Sequence, residues 1–351
     1  MSLEITLILI ILLTALALYA VLGGADFGAG VWEFNTVLRA SDRQRELLYH
    51  AIGPVWETNH VWLIFILVIL FGAFPPAFAT LNQALFVPLL LALVGIVFRG
   101  AAFAFRSQLK SDPRAGRIWE STFALASVLT PLFLGASVGA IASGQLKIDD
   151  AGNYQGDYLF GWINSLSVFN GFFTVGLCAY CSATYMIREA SQITEPIDRK
   201  EMVSLWRKRA LYTGSFMGVL AMTGLILVAT SYPELWSGML RRGWSMILLS
   251  MIAGCFSIWA IHHCLINSSV VGVSITCSCV VFGWGFAQYP DLLPGVWSAE
   301  QAASPTPVLR IILLATLIGS LFLIPSLYLL FRVFKMGPIS EPFAPTIPPQ
   351  D

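Results

Sequence analysis

A carboxylate, an amide and an imidazole sit between two indoles in Trp56-Glu57-Thr58-Asn59-His60-Val61-Trp62, directly ahead of a hydrocarbon run from Leu63 to Phe71. Gly53 and Pro54 before them suit the first turn of a helix, where a missing N–H has no intrahelical partner to lose. Glu57 and His60 then share one helix face. An ionisable side chain inside an apolar span is costly unless it faces a packed interior or water, so the pair marks a functional site. Other charges of this kind are Asp26 within Gly23-Gly24-Ala-Asp26-Phe-Gly28-Ala-Gly30, Arg99 and Arg106 late in a third apolar run, and Glu120 after Trp119 early in a fourth.

Carboxylates, an imidazole and helical spacing are the parts of a proton relay, whose acids bind and release protons in turn. A static ion-pair network pinning helices together uses the same residues, because acids and arginines offset one another's desolvation. Arg99, flanked by apolar residues, is the better partner for Asp26 or Glu57, whereas Arg106 reads as reaching the surface on its long stem. Glu33, seven residues beyond Asp26, reads as solvated at the helix edge. Close packing of a neighbouring helix accounts for Gly24-x-x-x-Gly28.

Metal chemistry finds little support. Glu57-x-x-His60 has the spacing of one half of a carboxylate-bridged di-iron site, but no other Glu is followed by His at that distance. His60 alone could ligate a haem, although a polar histidine beside a helix start is more often hydrogen-bonded structure. Cys178 and Cys181 form a C-x-x-C, yet Ser182 stands where haem attachment needs histidine, and no second pair gives zinc spacing. The six cysteines all lie in apolar runs and read as small packing residues. No metal site is expected.

The elements that must position these groups follow from composition. At 57% hydrophobic and 11% charged, the chain is far more apolar than a soluble domain, which carries about 25% charged residues. It reads as an all-α integral membrane protein. Its zero formal net charge argues against nucleic acid as a partner. The first apolar run lacks a basic leader and is too long for a signal peptide, so it reads as a retained span. Taking roughly 20 apolar residues per crossing gives nine transmembrane helices, near 5–33, 51–72, 81–105, 119–143, 160–187, 210–230, 244–264, 268–288 and 309–333. With the N-terminus outside and the C-terminus cytoplasmic, 16 of the 20 Lys and Arg fall on the cytoplasmic side, as the charge rule for loops requires. The Arg241-Arg242 pair fits least. Residues 188–209 read as a short charged inner linker, and no internal repeat is evident. In this orientation Asp26, Glu57, Arg99, Arg106 and Glu120 converge at the cytoplasmic ends of the first four helices.

The sequence resembles subunit II of the cytochrome bd quinol oxidases. The resemblance is carried by Gly24-Ala-Asp26-Phe-Gly28-Ala-Gly30, Gly53-Pro-Val-Trp56-Glu-Thr-Asn59-His-Val-Trp62, Phe98-Arg99 through Phe105-Arg106-Ser107, Trp119-Glu120, Ala183-Thr184-Tyr185 and Tyr289-Pro290-x-Leu-Leu-Pro294. These segments occur in the family's order across nearly the whole chain. The resemblance implies two four-helix bundles plus one peripheral helix. On that plan residues 1–145 form the first bundle with the polar cluster, 146–290 the second, and 291–351 an outer loop, the ninth helix and a cytoplasmic tail.

It further implies a heterodimer with a haem-bearing subunit I in a bacterial-type cytoplasmic membrane. All haems would lie in that partner and no cofactor would be bound directly here, apart from a structural quinone. The complex would oxidise quinol and reduce oxygen to water. Asp26, Glu57 and Glu120 would belong to a cytoplasmic proton path supported by Arg99 and His60. Glu57 and Glu120 stand where the family commonly has aspartate, and Gly23 where many members have aspartate, which keeps an ionisable oxygen at 57 and 120 but shifts it by one methylene. Two other readings use the same residues: a purely structural scaffold subunit, and a stand-alone membrane transporter.

Overall fold

In a computed structural model the described residues are 1–37, 44, 47–48, 51, 56–108, 113–149 and 152–335, without the side chains of 35–37, 56–58, 106–108, 113–115, 331 and 334–335. The order is α1 (Leu3–Val37), α2 (Trp56–Ala73), α3 (Pro75–Ala84), α4 (Phe86–Gln108), α5 (Pro113–Ala142), α6 (Ser165–Ser191), α7 (Pro196–Ser231), α8 (Pro233–Gly238), α9 (Trp244–His262), α10 (Ile266–Gln288), a small hairpin of β1 (Asp291–Leu293) and β2 (Trp297–Ser298), and α11 (Thr306–Lys335). Among the described residues eight helices are long and apolar enough to cross a membrane, and the stretch Asn59–Ala73 is a shorter apolar helix.

Local chemistry moves several boundaries. The fifth apolar run becomes helical, as α6, at Ser165 rather than near 160, because Asn164 caps it: its side chain accepts from Ser167 N–H while the Ser167 hydroxyl accepts from Asn164 N–H. The linker expected over 188–209 is mostly helix. Pro196 opens α7, Arg, Lys, Glu, Met and Leu, all good helix formers, fill its first turns to Arg209, and the apolar run continues it to Ser231. The third apolar run is two helices, because α3 ends at Leu85, whose φ of −111° is not helical. At the tight turn between α9 and α10, Cys264 takes a φ of 59°.

The helix α1 packs against α2, α5, α6, α10 and α11, while α6 packs against α1, α5, α7 and α10. These neighbour relations repeat: α1 has α2 and α5 beside it and α4 pairs with α5, just as α6 has α7 and α10 beside it and α9 pairs with α10. α11 lies along α1 and α2 and is largely exposed.

Glycines set the closest approaches. A Cβ on Gly28 would stand 1.9 Å from the Cys178 carbonyl oxygen, and one on Gly30 would stand 2.1 Å from Ser127 Oγ, whereas one on Gly24 would meet only Cys178 Sγ at 3.9 Å. Gly28→Ala is therefore expected to push α1 off α6 at a cost of about 1–3 kcal/mol, the range for overpacking, while Gly24→Ala is neutral. Thermal unfolding of the two variants in detergent checks the contrast; equal midpoints would contradict this packing.

Two arginines close helix ends. Arg207 donates to the Ile261 and His262 carbonyls at the end of α9. Arg242 donates to Phe286 O and Ala287 O, both at 3.1 Å, at the end of α10. The last carbonyls of a helix carry partial negative charge, so Arg242, which fits the loop-charge rule poorly, is committed to a local partner. Beyond the helices, Trp297 Nε1 donates to Thr80 Oγ1 at 3.0 Å, and that hydroxyl donates to Gly152 O at 2.6 Å. Both non-helical segments are thereby tied to α3.

Candidate functional site

Asp26 in α1 and Arg99 in α4 are 5% and 1% exposed, and the fold brings them together. Arg99 Nη1 donates to Asp26 Oδ2 at 2.8 Å and Nη2 to Oδ1 at 2.5 Å. Nη2 also reaches the Asp26 carbonyl at 3.2 Å, and Nε donates to Ser127 Oγ on α5 at 3.0 Å. This is the bidentate fork that the guanidinium geometry favours. The phenyl rings of Phe27 and Phe123 lie with centroids 4.9 Å from the guanidinium carbon, adding aromatic faces to a buried cation. Three helices thus meet at one charged node. Gly30 is what lets α5 bring Ser127 close enough, since any side chain there would occupy the Ser127 position.

His60 belongs to the same neighbourhood. Its ring lies 5.7 Å from Phe27 and 6.5 Å from Tyr19, so it sits among aromatic side chains at the level of Asp26. Asn59 beside it is 3% exposed. Glu57 is within α2, but its side chain lies outside the described residues, as do those of Trp56 and Arg106. Position 57 is one turn from His60 towards the start of α2. Glu120 is half-buried on α5, next to Trp119, whose ring stacks on Phe105 at 4.8 Å. No group of three or more His, Cys, Asp or Glu among the described residues is arranged to hold a metal ion.

A second layer follows from spacing. Glu33 lies seven residues after Asp26 on α1, Arg106 seven after Arg99 on α4, and Glu120 seven before Ser127 on α5. Seven residues are two helical turns, about 10 Å. α1 and α4 run in one direction and α5 returns, so all three second-layer positions fall towards the same end of the bundle. Position 57 on α2 lies on that side as well.

Glu33 is not solvated as its edge position suggested. It is 2% exposed, and side chains of α7 reach the neighbouring residue on α1. The adjacent Trp32 donates its indole N–H to Ala179 O at 2.9 Å and meets Trp206 of α7 edge to face at 5.8 Å. Arg209 of α7 lies over both indoles, 5.0 Å from Trp32 and 4.6 Å from Trp206, and donates to Gln44 at 3.1 Å. Sequence reasoning missed this group. The seven-residue interval from Asp26 was the available signal, since it places Glu33 on the buried face.

The other half of the bundle carries a neutral counterpart. Tyr180 on α6 donates to Ser257 on α9 at 2.9 Å, and Ser257 donates to the Ser269 carbonyl on α10 at 3.0 Å. The three helices joined there stand in the same neighbour relations as α1, α4 and α5. A hydroxyl chain occupies the place that the ion pair takes in the first half.

Comparison with known proteins agrees with this architecture. The sequence profile described as Cytochrome bd terminal oxidase subunit II matches residues 3–334. Cytochrome bd-I ubiquinol oxidase subunit 2 of Escherichia coli (strain K12) is 29% identical over 171 residues, an alignment covering 48% of this chain and 44% of that protein. The matched part is thus less than half of that relative's length. The putative cytochrome bd menaquinol oxidase subunit II of Bacillus subtilis (strain 168) is 23% identical over 329 residues, 90% of this chain and 91% of that one. Among solved structures, a chain of the bd oxidase from Geobacillus thermodenitrificans superposes with a TM-score of 0.75 at 20% identity, covering 96% of this chain and 100% of its own, which shows the shared fold. With its apolar helices, the protein is a multi-pass protein of the bacterial inner membrane, and it belongs to the cytochrome bd terminal oxidase subunit II family.

Proposed function

We propose that this chain is the non-haem subunit II of a bd-type quinol:oxygen oxidoreductase and forms a heterodimer with a haem-bearing subunit I. The haems of that partner supply the oxygen-reducing chemistry. This chain supports it with N-terminus outside, C-terminus cytoplasmic, two four-helix bundles (1–145 and 146–290) and a peripheral ninth helix, among lipid and a structural quinone.

The observation that carries the functional reading is the two-layer polar arrangement on α1, α2, α4 and α5. Its outer-layer positions, 57 on α2, 120 on α5 and 33 on α1, lie towards the cytoplasmic end in the proposed orientation, and their glutamates are the part suited to taking up protons for delivery towards subunit I. The inner layer suits a different task. Both oxygens of Asp26 accept from one guanidinium, so neither is free to pass a proton on without breaking the fork. Asp26 and Arg99 therefore fix the helices and the local field, His60 sets the surroundings of position 57, and Glu57 and Glu120 exchange protons.

Gentle solubilisation followed by an optical spectrum tests the assignment. Co-purification with a haem-bearing partner and a bd-type absorption spectrum is the expected result. A homogeneous, stable, haem-free preparation would instead identify a stand-alone transporter.

A further inference from the structure

Cys181 on α6 and Cys277 on α10 are both fully buried, and their sulfurs lie 3.1 Å apart although 96 residues separate them in sequence. The C-x-x-C partner Cys178 is not the group facing Cys181. One turn along, Tyr185 Oη and Ser274 Oγ are also 3.1 Å apart. Position 185 is four after 181 and 274 is three before 277, so the two contacts are successive rungs on facing sides of antiparallel helices. Small residues pack such an interface equally well with any side chain of the right volume. Two thiols opposite one another at a rung whose register is fixed by its neighbour are something more specific.

We infer that Cys181 and Cys277 are a redox-active pair that closes to a disulfide stapling α6 to α10. Closure brings the sulfurs about 1 Å nearer, to the roughly 2.05 Å of the bond. With a hydroperoxide as oxidant the step is balanced. One sulfur attacks the peroxide, the O–O bond breaks, water leaves and a sulfenic acid forms. The second sulfur displaces its hydroxyl as another water, so two thiols and one hydrogen peroxide yield one disulfide and two waters. Hydrogen peroxide is small and neutral, which suits a site within apolar helices. The staple bears on the charged half too, because α6 is the surface on which Gly28 of α1 rests, through the Cys178 carbonyl. The inference stands on this packing alone and is independent of the proton path.

The test uses the full chain in its native membrane. After hydrogen peroxide, free thiols are blocked with N-ethylmaleimide in denaturant, and digests are analysed by mass spectrometry with and without dithiothreitol. The expected result is that the Cys181 and Cys277 peptides together lose most of their alkylated signal and appear as one linked species, 2 Da below their sum, which dithiothreitol separates, while Cys178 stays alkylated. Linkage of Cys178 to Cys181, or full alkylation of Cys181 and Cys277, overturns the proposal. A second protein, Tyr185→Cys with Ser274→Cys in a Cys181→Ser, Cys277→Ser background, reads the register separately. If it cross-links while the native pair in the wild type does not, the helices face each other as described and the redox role is refuted.

Discussion

Glu57→Gln is expected to lower quinol-driven oxygen consumption by about ten- to a hundredfold while the haem-bearing complex still assembles with an unaltered spectrum. Glutamine keeps the shape and hydrogen-bonding reach of the side chain and removes only the exchangeable proton. A positioned proton-transfer group contributes typically about 10²–10⁴-fold, and leakage through other groups at the same end sets the lower figure. Glu57→Asp is expected to keep most of the turnover, since it retains an ionisable oxygen moved by only one methylene. Oxygen consumption and proton uptake, each normalised to haem, give the result. Normal rates in an intact Glu57→Gln complex would remove the residue from any proton path. Glu120→Gln is expected to fall less, because a half-buried group near the mouth of such a path has water as a substitute.

Much of this arrangement was legible in the chain. Apolar composition and run lengths give an all-helical membrane chain, eight of whose described helices are long enough to cross where nine crossings are expected, and the isolation of Arg99 within one apolar run required an acid nearby, which Asp26 supplies. The serine that completes the node was not visible, because nothing in Ala124-Leu-Ala-Ser127 distinguishes it from a packing residue. What identifies it is the missing side chain of Gly30, a fact about two helices rather than one. The same limit hid the Cys181–Cys277 rung and the Tyr180–Ser257–Ser269 chain, whose members lie far apart in sequence and are each unremarkable within their own helix. Glu33 and residues 196–209 failed for another reason. Charge alone points to solvent and to a loop, whereas long charged side chains are good helix formers, and Trp206 and Arg209 of the helix they extend pack on Trp32 of α1. The position with the greatest chemical interest, Glu57, was legible by type, while its side chain lies outside the described residues.

Arg99→Met is expected to destabilise the assembled protein by about 3–5 kcal/mol, the cost of leaving a buried partner charge uncompensated, and Asp26→Asn by a similar amount. Arg99 is 1% exposed and makes four hydrogen-bond contacts, two to carboxylate oxygens, one to a carbonyl and one to Ser127. The methionine stem can fill the space between Phe27 and Phe123 but returns none of those donors. In the double variant no net charge is stranded, so its loss is expected to be well below the sum of the two single losses, a positive coupling that thermal midpoints in detergent would measure. The same variant separates anchor from relay. If Asp26 and Arg99 only hold α1, α4 and α5 in place, turnover per assembled complex recovers along with stability in the double variant. If Asp26 itself passes protons, the double variant assembles and stays slow, because asparagine restores the packing and not the exchangeable proton. The bidentate geometry, with both carboxylate oxygens occupied, predicts the first outcome.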